Sequence, residues 1–502
     1  MTLDQSHGRA AAGLASRLDA GSGFGAPPPD AAARGSAARD PYTIDGRPFV
    51  GIQVGAVSFV DEGTDAVLDL FKDRGGVNAV LLACHTFDRG TGGRQIAGHP
   101  LPDHGIQEYD PEFRGGNFAT IHPQFYGKTA IGDFRAPDHP DLDIIQEVIG
   151  PAHARGMQVY AWINENPFGP IPKYVPNFPK VLEIDPHGRR ARTPCFNHPD
   201  YRYWWLSIAE DYVKSYPLDG FAWCSERQGP LGNMLGGQNA VADITCFCEH
   251  CRAIAHERGV NVERARRGFL ALADYLAAAR QGERPVDGHF VTFWRLLLEY
   301  PEILAWEKLW TDSQHGMYAE IYGVIKAIRR EVQVGWHVMH QNSFSPFYRA
   351  EQDYKKMAPF SDFIKVVAYH NCAGPRYAGF HRSLARTIFG DARPEASLEL
   401  MYGILGVDEA PLDELPQVGW SAEYVRRETA RAVANVGERV AILPGIDIDI
   451  PTGPEQAQCT PEGTRAAVEA AMAGGARGVI LSRKYSEMRL DNLFATKDAI
   501  PA

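Results

Sequence analysis

The chain has 502 residues, 44% of them hydrophobic and 23% charged, and its formal net charge is −11 at pH 7. This balance is typical of a folded protein and excludes a chain that is disordered throughout. The negative charge argues against a nucleic-acid partner, because contact with phosphates requires a concentrated basic face.

The start of the chain differs from the rest, since it consists mainly of Ala, Gly, Pro and Ser. It holds too few large apolar side chains to form a core, so we expect a disordered lead-in over 1–40. It also lacks the apolar stretch of a secretory signal, and we expect a cytoplasmic protein, with secretion left open if a signal has been trimmed. No apolar run reaches the about 18 residues of a membrane-spanning helix, which predicts no membrane partner.

From residue 41 onward, short apolar runs alternate with longer segments of helical periodicity, as in a parallel sheet covered by helices. The predicted strands are continuous apolar runs, suited to burial on both faces, at 49–54, 79–83, 158–163, 220–224, 332–338, 363–368, 440–443 and 478–481. Eight strands without a glycine-rich phosphate-binding segment favour a (β/α)8 TIM barrel over a doubly wound open sheet. We therefore predict an α/β protein with one barrel domain over 41–502.

Helical periodicity fills the intervals between the strands. The predicted helices are 64–74, 142–155, 201–215, 315–331, 422–436 and 464–473. The interval after the fourth strand, 225–331, is unusually long and contains further helical runs at 264–279 and 293–298. We interpret it as an insertion that forms a subdomain over the barrel mouth or an oligomer contact.

Three cysteines stand close together in the segment Cys-Phe-Cys-Glu-His-Cys, as Cys246, Cys248 and Cys251. This spacing can place sulfurs at three corners of a tetrahedron, about 2.3 Å from a zinc ion. Cys195 is the best candidate for the fourth ligand, with His250 as the alternative. A structural zinc site is favoured over reduced thiols or a local disulfide.

A longer pattern surrounds these cysteines. Cys195 is followed by Asn197, Pro199, Tyr201 and Arg202, then by a strand that leads to a glutamate, and then by the Cys-x-Cys-x-x-Cys segment. Over 193–253 the chain thus resembles glycoside hydrolase family 42, the bacterial β-galactosidases. The resemblance implies a barrel glycosidase with a carbohydrate substrate, a structural zinc ion on the four cysteines, the glutamate as acid/base and a homo-oligomeric assembly.

The chain departs from that family at two places. Ser225 precedes Glu226, whereas the family has asparagine there, and the seventh strand leads into Pro-Gly-Ile-Asp-Ile-Asp, whereas the family has a glutamate nucleophile at its end. We therefore infer a distant relative among the barrel glycosidases, and the family's substrate is not carried over.

Glycoside cleavage needs two carboxyl groups that flank the bond, one to donate a proton and one to attack the sugar or activate water. Glu226 fits the first role, because it follows the fourth strand and barrel enzymes place reactive groups after their strands. Phe221 and Trp223 on that strand are expected to raise the pKa of Glu226 by desolvation, as a proton donor requires.

The second carboxylate is expected after the seventh or eighth strand. Asp447 is the predicted nucleophile, and Asp449 points to the same side if this segment is extended. Glu487 is the further candidate. The alternative for each of the three is a ligand-hydroxyl contact or an ion pair with Arg483 or Lys484.

Other polar and aromatic residues at the strand ends suit a sugar pocket. The predicted substrate-binding residues are His85, Asn164, Glu165, Arg227, His337, His340, His370 and Lys484. The predicted stacking faces are Trp162, Trp336, Tyr369 and Tyr485, with core packing as the alternative for each. No motif for an organic cofactor is present, and we expect none.

Two further functions remain open at this stage. One is a carbohydrate-binding barrel that has lost catalysis, as the departures at Ser225 and after the seventh strand allow. The other is a metal-dependent hydrolase or isomerase that uses His85, His337 and His370 as ligands.

Overall fold

Eight parallel strands close into a barrel in the computed structural model, which describes residues 40–93, 102–106, 109–110, 112–165, 171–237 and 241–500. The strands are β1 (Arg47–Gly55), β2 (Ala79–Thr86), β3 (Gln158–Asn164), β4 (Gly220–Cys224), β5 (Gln333–Val338), β6 (Phe363–Ala368), β7 (Ala441–Ile442 and Gly445–Asp447) and β8 (Gly478–Ser482). Each strand pairs with the next, and β8 pairs with β1 with Val479 opposite Val50. The predicted TIM barrel is confirmed.

Helices follow the strands on the outside. In chain order the longer ones are Ala56–Glu62, Thr64–Asp69, Ile144–Ala154, Pro199–Ser215, Glu302–Ile328, His370–Ala385, Pro394–Leu405, Ala422–Val436 and Pro461–Ala473. Their starts have local causes: Ser421 accepts a hydrogen bond from the backbone N–H of Tyr424 and so caps the helix that follows. None of the described helices is both long and apolar enough to cross a membrane.

Additional helices occupy the interval between β4 and the barrel helix Glu302–Ile328. They are Pro230–Leu235, Glu249–Glu257, Val262–Arg280 and His289–Glu299. The predicted helical runs in 225–331 therefore exist, while the subdomain or oligomer role of this insertion stays a prediction. The disordered lead-in predicted for 1–40 lies outside the described residues, apart from Asp40.

The barrel interior is filled at its amino-terminal end by three aromatic rings, Phe49, Tyr160 and Phe363, which meet edge to face. Glycines opposite these rings make the room. A Cβ atom on Gly335 would lie 2.4 Å from the ring of Phe363, and one on Gly220 would lie 2.0 Å from the ring of Tyr160. Close packing of this layer explains why Gly220 on β4 lies beside Tyr160 on β3, and Gly335 on β5 beside Phe363 on β6.

We expect Gly335→Ala to lower the free energy of unfolding by about 1–3 kcal/mol, because the added methyl overfills the barrel. Urea denaturation monitored by circular dichroism measures the effect. The control is Gly323→Ala on the helix Glu302–Ile328, where a Cβ meets nothing within 4 Å and helix propensity favours alanine by up to about 1 kcal/mol. Equal stability of the two variants would contradict this account of the barrel packing.

Candidate active site

A cavity of about 460 Å³ lies at the carboxyl ends of β4, β5 and β6. Its polar wall residues are Glu226, His340, Gln341 and Arg376, and the rings of Phe344 and Phe380 supply much of the apolar wall. Glu226 stands two residues beyond β4, and its side chain is 40% exposed. The predicted catalytic glutamate is therefore accessible to a ligand in this cavity.

A chain of hydrogen bonds runs from β6 to Glu226. Lys365, in the middle of β6, donates through Nζ to Nδ1 of His337 at 3.0 Å, to Oε1 of Gln53 at 2.7 Å and to Oη of Tyr369 at 2.8 Å. The other ring nitrogen of His337, Nε2, lies 2.8 Å from Oε1 of Glu226. Because Nδ1 accepts from the lysine, Nε2 carries the ring proton and donates it to the carboxylate.

These surroundings keep Glu226 ionised. Burial by itself raises the pKa of a carboxyl group, but the hydrogen bond from His337 and the positive charges of Arg376 and Arg483 outweigh it. The pKa of Glu226 is consequently held well below its ordinary range. Glu226 is thus a carboxylate at neutral pH, which suits a nucleophile or a base better than a proton donor.

The expectation that two aromatic residues raise the pKa of Glu226 is therefore wrong. Phe221 and Trp223 point away from the barrel interior into the layer between strands and helices, where Trp223 packs 5.4 Å from Tyr318. Their neighbours Ala222 and Cys224 face inward instead. Side chains alternate along a strand, so residues adjacent to the inward positions of β4 cannot form the wall of the cavity.

Asp447 ends β7 and is fully buried. Its two oxygens accept hydrogen bonds from the backbone N–H groups of Cys372, at 3.0 Å, and Ile450, at 3.2 Å. Burial raises the pKa of Asp447 to about 6. Arg376 interacts electrostatically with both Asp447 and Glu226, so the two carboxyl groups lie at the same end of the barrel. The nucleophilic role of Asp447 stays a prediction.

Asp449 does not share the side of Asp447, because the segment is not extended at this residue. Asp449 has a φ of 55°, in the left-handed region, and its carboxylate turns to Arg489 Nη2 at 2.8 Å and Asn492 Nδ2 at 2.9 Å. The condition for Asp449 to share the side of Asp447, an extended segment, is therefore not met. Asp449 forms an ion pair with Arg489, and its catalytic role stays a prediction.

Glu487 is also held by cations. Arg483 Nη2 donates to its Oε1 at 2.7 Å, and Lys484 Nζ lies 3.6 Å from the same atom. Lys484 in turn donates to Asp88 at 2.7 Å and is buried. Glu487 and Lys484 therefore form part of one ion-pair cluster after β8, and the catalytic and substrate-binding roles predicted for them stay predictions.

Glu165 and Arg227 form a buried network behind Glu226. Glu165 accepts hydrogen bonds from the hydroxyls of Tyr201 and Ser225, and Arg227 Nη1 lies 3.4 Å from its Oε1. Arg227 also donates through Nη2 to Glu183 at 2.9 Å. Both predicted substrate-binding residues are thus engaged within the protein, and the network holds the polypeptide on either side of Glu226.

The predicted histidines are dispersed. His85 is fully buried, with its ring 5.3 Å from those of Trp204 and Trp205, and burial lowers its pKa to about 3. His370 is buried as well, and burial lowers its pKa to about 4. Neither joins His337 in a potential ligand group among the described residues. The three-histidine metal site offered by the sequence is therefore not formed there.

The four predicted stacking residues, Trp162, Trp336, Tyr369 and Tyr485, are all buried. Trp336 stacks on Tyr318 with centroids 4.6 Å apart, and Tyr369 accepts the hydrogen bond from Lys365. Core packing, the alternative for each, thus accounts for these rings. Of the remaining predicted binding residues, Asn164 ends β3, while His340 lines the cavity.

The four predicted zinc ligands come together, although they are up to 56 residues apart in the chain. The sulfur of Cys195 lies 3.6 Å from that of Cys248 and 3.5 Å from that of Cys251, and the Cys246 sulfur is within 4.8 Å of all three. Sulfurs that share a tetrahedral zinc at 2.3 Å are about 3.8 Å apart, which these spacings match, whereas a disulfide needs about 2 Å. His250 is not part of this group.

Two residues of the site were missed by the sequence reading. Lys365 is a charged residue inside the apolar strand Phe-Ile-Lys-Val-Val-Ala. A lysine in such a run is visible in the sequence and could have indicated a site residue. Arg376 lies within the helix His370–Ala385, nearly two turns after its start, and carries no comparable signal. Its place in the cavity depends on how that helix packs over the barrel.

No family model matches the sequence, and no curated protein matches it significantly. Solved structures do match. The β-galactosidase from Halorubrum lacusprofundi has 13% identity and a TM-score of 0.50, over 90% of this chain and 57% of that one. At this identity, the likeness shows a shared barrel fold.

Two other matches have lower TM-scores. The α-L-fucosidase isoenzyme 2 from Paenibacillus thiaminolyticus has 13% identity and a TM-score of 0.47, over 90% of this chain and 48% of that one. A glycoside hydrolase family 42 β-galactosidase from G. stearothermophilus has 12% identity and a TM-score of 0.47, over 91% and 57%. The chain spans about half the length of each of these three solved structures.

We expect Lys365→Met to raise the pKa of His337 by about one unit or more. In the wild type, burial and then the positive charge of Lys365 lower the pKa of His337 to about 4, and removing a positive neighbour favours the imidazolium. A pH titration of the His337 ring signals by NMR measures this shift. Lys355→Met, at an exposed lysine, is the control. An unchanged pKa of His337 in Lys365→Met would contradict the hydrogen-bond chain from Lys365 to Glu226.

Proposed function

We propose that this protein is a glycoside hydrolase whose reactive carboxylate is Glu226. The observation that carries the proposal is the position of Glu226 after β4 of a TIM barrel, accessible in a cavity and oriented by His337. Barrel enzymes place their catalytic groups at this end of the strands. The fold is shared with a β-galactosidase, and the expected substrate is a carbohydrate.

Asp447 is the proposed partner of Glu226. The environments of the two groups push their pKa values apart: that of Glu226 is lowered, while burial raises that of Asp447 to about 6. Such a separation is expected for a pair in which one group is ionised and the other holds a proton. Because Glu226 has the lower pKa of the two, we assign it as the nucleophile or base and Asp447 as the proton donor. This is the reverse of the sequence-based assignment.

We expect Glu226→Gln to lower kcat/KM by about 100-fold or more on any nitrophenyl glycoside that the wild type cleaves. A panel of α and β pyranosides and furanosides identifies that substrate. Glu399→Gln, on an exposed helix position, is the control and should keep full activity. Cleavage that survives Glu226→Gln would remove Glu226 from the mechanism. Binding of sugars without any cleavage would favour a catalytically inactive carbohydrate-binding barrel.

Azide rescue of Glu226→Ala on an activated glycoside separates the two role assignments. If Glu226 is the nucleophile of a retaining enzyme, azide takes its place in one displacement, and the glycosyl azide has the inverted configuration. If Glu226 is the acid/base, azide attacks the glycosyl-enzyme, and the product keeps the configuration of the substrate.

We propose further that Cys195, Cys246, Cys248 and Cys251 hold a structural zinc ion. The sulfur spacings support a tetrahedral site, and N–H groups point at the sulfurs, as in the contacts of Asn197 N with Cys195 at 3.3 Å and of Asn197 Nδ2 with Cys251 at 3.3 Å. Such hydrogen bonds stabilise thiolates. With four protein ligands, the ion would be structural and not catalytic.

We expect purified wild-type protein to contain about one zinc ion per chain, because four thiolates complete a structural site. Cys251→Ser should lose most of this zinc and unfold at a lower temperature, whereas Cys459→Ser, at a cysteine outside the cluster, should keep it. Elemental analysis and thermal denaturation give the two readouts. Metal-free wild-type protein, purified without chelator, would contradict the proposal.

The homo-oligomer implied by the resemblance stays a proposal. The insertion helix His289–Glu299 exposes Phe290, Trp294 and Leu298 at four-residue spacing along one side. Such a stripe is typical of a surface that is covered in an assembly.

A further inference from the structure

The side chain of Arg376 is anchored at the cavity wall by a hydrogen bond to His340. Its Nη1 lies 3.2 Å from Nδ1 of His340, whose other ring nitrogen lies 3.2 Å from Oη of Tyr424. The Tyr424 hydroxyl donates to the carbonyl of Val367 at 3.3 Å, so His340 Nε2 is the donor to Tyr424 and its Nδ1 accepts from the guanidinium. Burial and then Arg376 lower the pKa of His340 well below its ordinary value, which keeps this imidazole neutral.

Arg376 differs from the other cations around Glu226. Arg483 is paired with Glu487, Lys484 is paired with Asp88, and Lys365 is surrounded by acceptors. Within the described part of the chain, Arg376 has no carboxylate at ion-pair distance, and its hydrogen-bond partner there is a neutral histidine. Its remaining N–H donors are therefore available to a ligand in the cavity.

A guanidinium in a partly enclosed cavity has a strong preference for one class of ligand. Its planar fork of N–H donors matches the two oxygens of a carboxylate, or those of a phosphate or sulfate ester. Gln341 lines the same cavity and adds an amide. Glu226 and Asp447 act on this guanidinium through space, but neither is at ion-pair distance from it. A neutral sugar hydroxyl would still give the fork no anion to bind, and the hydrogen bonds it makes would be weaker than those of a charged group.

We propose that Arg376 binds an anionic group of the substrate, and that the substrate is an acidic glycoside, foremost a uronide. Cleavage of such a substrate rests on the proposed glycosidase function, whereas binding of the anionic group does not. Glu226 lines the same cavity, and its carboxylate is stabilised by the hydrogen bond from His337 and by the positive charges of Arg376 and Arg483. The anionic group would therefore occupy the part of the cavity next to Arg376, with the scissile bond towards Glu226.

The experiment compares the wild type with Arg376→Met and Arg382→Met. Arg382 is exposed on the same helix and gives the same change in net charge. Nitrophenyl glucuronides and galacturonides are assayed beside the matching glucosides and galactosides, and binding of glucuronate, glucose 6-sulfate, glucose 6-phosphate and glucose is measured by calorimetry. We expect Arg376→Met to lower kcat/KM or affinity for the acidic probe by about 10- to 100-fold, the effect of losing a charged hydrogen bond, and Arg382→Met to change neither.

The outcomes separate this inference from the proposed function. If glucuronate binds and Arg376→Met abolishes binding, but no glycoside is cleaved, the anion site stands and the glycosidase proposal falls. If a neutral glycoside is cleaved and acidic probes neither bind nor react, the glycosidase proposal stands and the anion site is overturned. Preference for the sulfate or phosphate, lost in Arg376→Met, supports the anion site and assigns the ester instead of the uronide. Equal effects of both arginine variants overturn it.

Discussion

The candidate active site depends on the hydrogen bonds that the buried Lys365 donates. Moving an ammonium from water into a barrel interior costs several kcal/mol unless hydrogen-bond acceptors surround it, and Lys365 has such acceptors in Gln53, His337 and Tyr369. The acceptor on β5 is an imidazole, so its other nitrogen must donate, and the group that accepts this proton is Glu226. The hydrogen bond that Glu226 receives thus depends on Lys365, which lies two strands away in the middle of β6.

A second buried network holds the backbone around Glu226. Arg227 connects Glu165, next to β3, with Glu183, in the hairpin Leu182–Ile184 and Arg190–Pro194, and its guanidinium lies 4.1 Å from the ring of Phe196. Glu183 also accepts from Thr245, the residue before Cys246. The cysteine cluster and the end of β4 are therefore joined through one arginine. A structural zinc ion there would stabilise the segment that presents Glu226, without contacting a substrate.

The architecture could be predicted because barrel strands are buried on both faces and helices on one. The apolar runs at 220–224 and 363–368 have the same bounds as β4 and β6, and the helix predicted at 422–436 is Ala422–Val436. The cysteine cluster was also predictable, since cysteines within one turn have a fixed local spacing and Cys195 lies in a distinctive segment. These features depend on periodicity and on residue types near one another in the chain.

The sequence by itself thus determined the barrel, the position of Glu226 after the fourth strand and the four grouped cysteines. Only the tertiary structure decided the electrostatics of the site. Whether Trp223 faces Glu226 depends on which side chains of β4 point into the barrel. The pKa of Glu226 depends on His337 and Arg376, which are more than a hundred residues away in the chain. Burial and electrostatic interactions depend on the distances between segments that are remote in the chain, and barrel closure sets those distances.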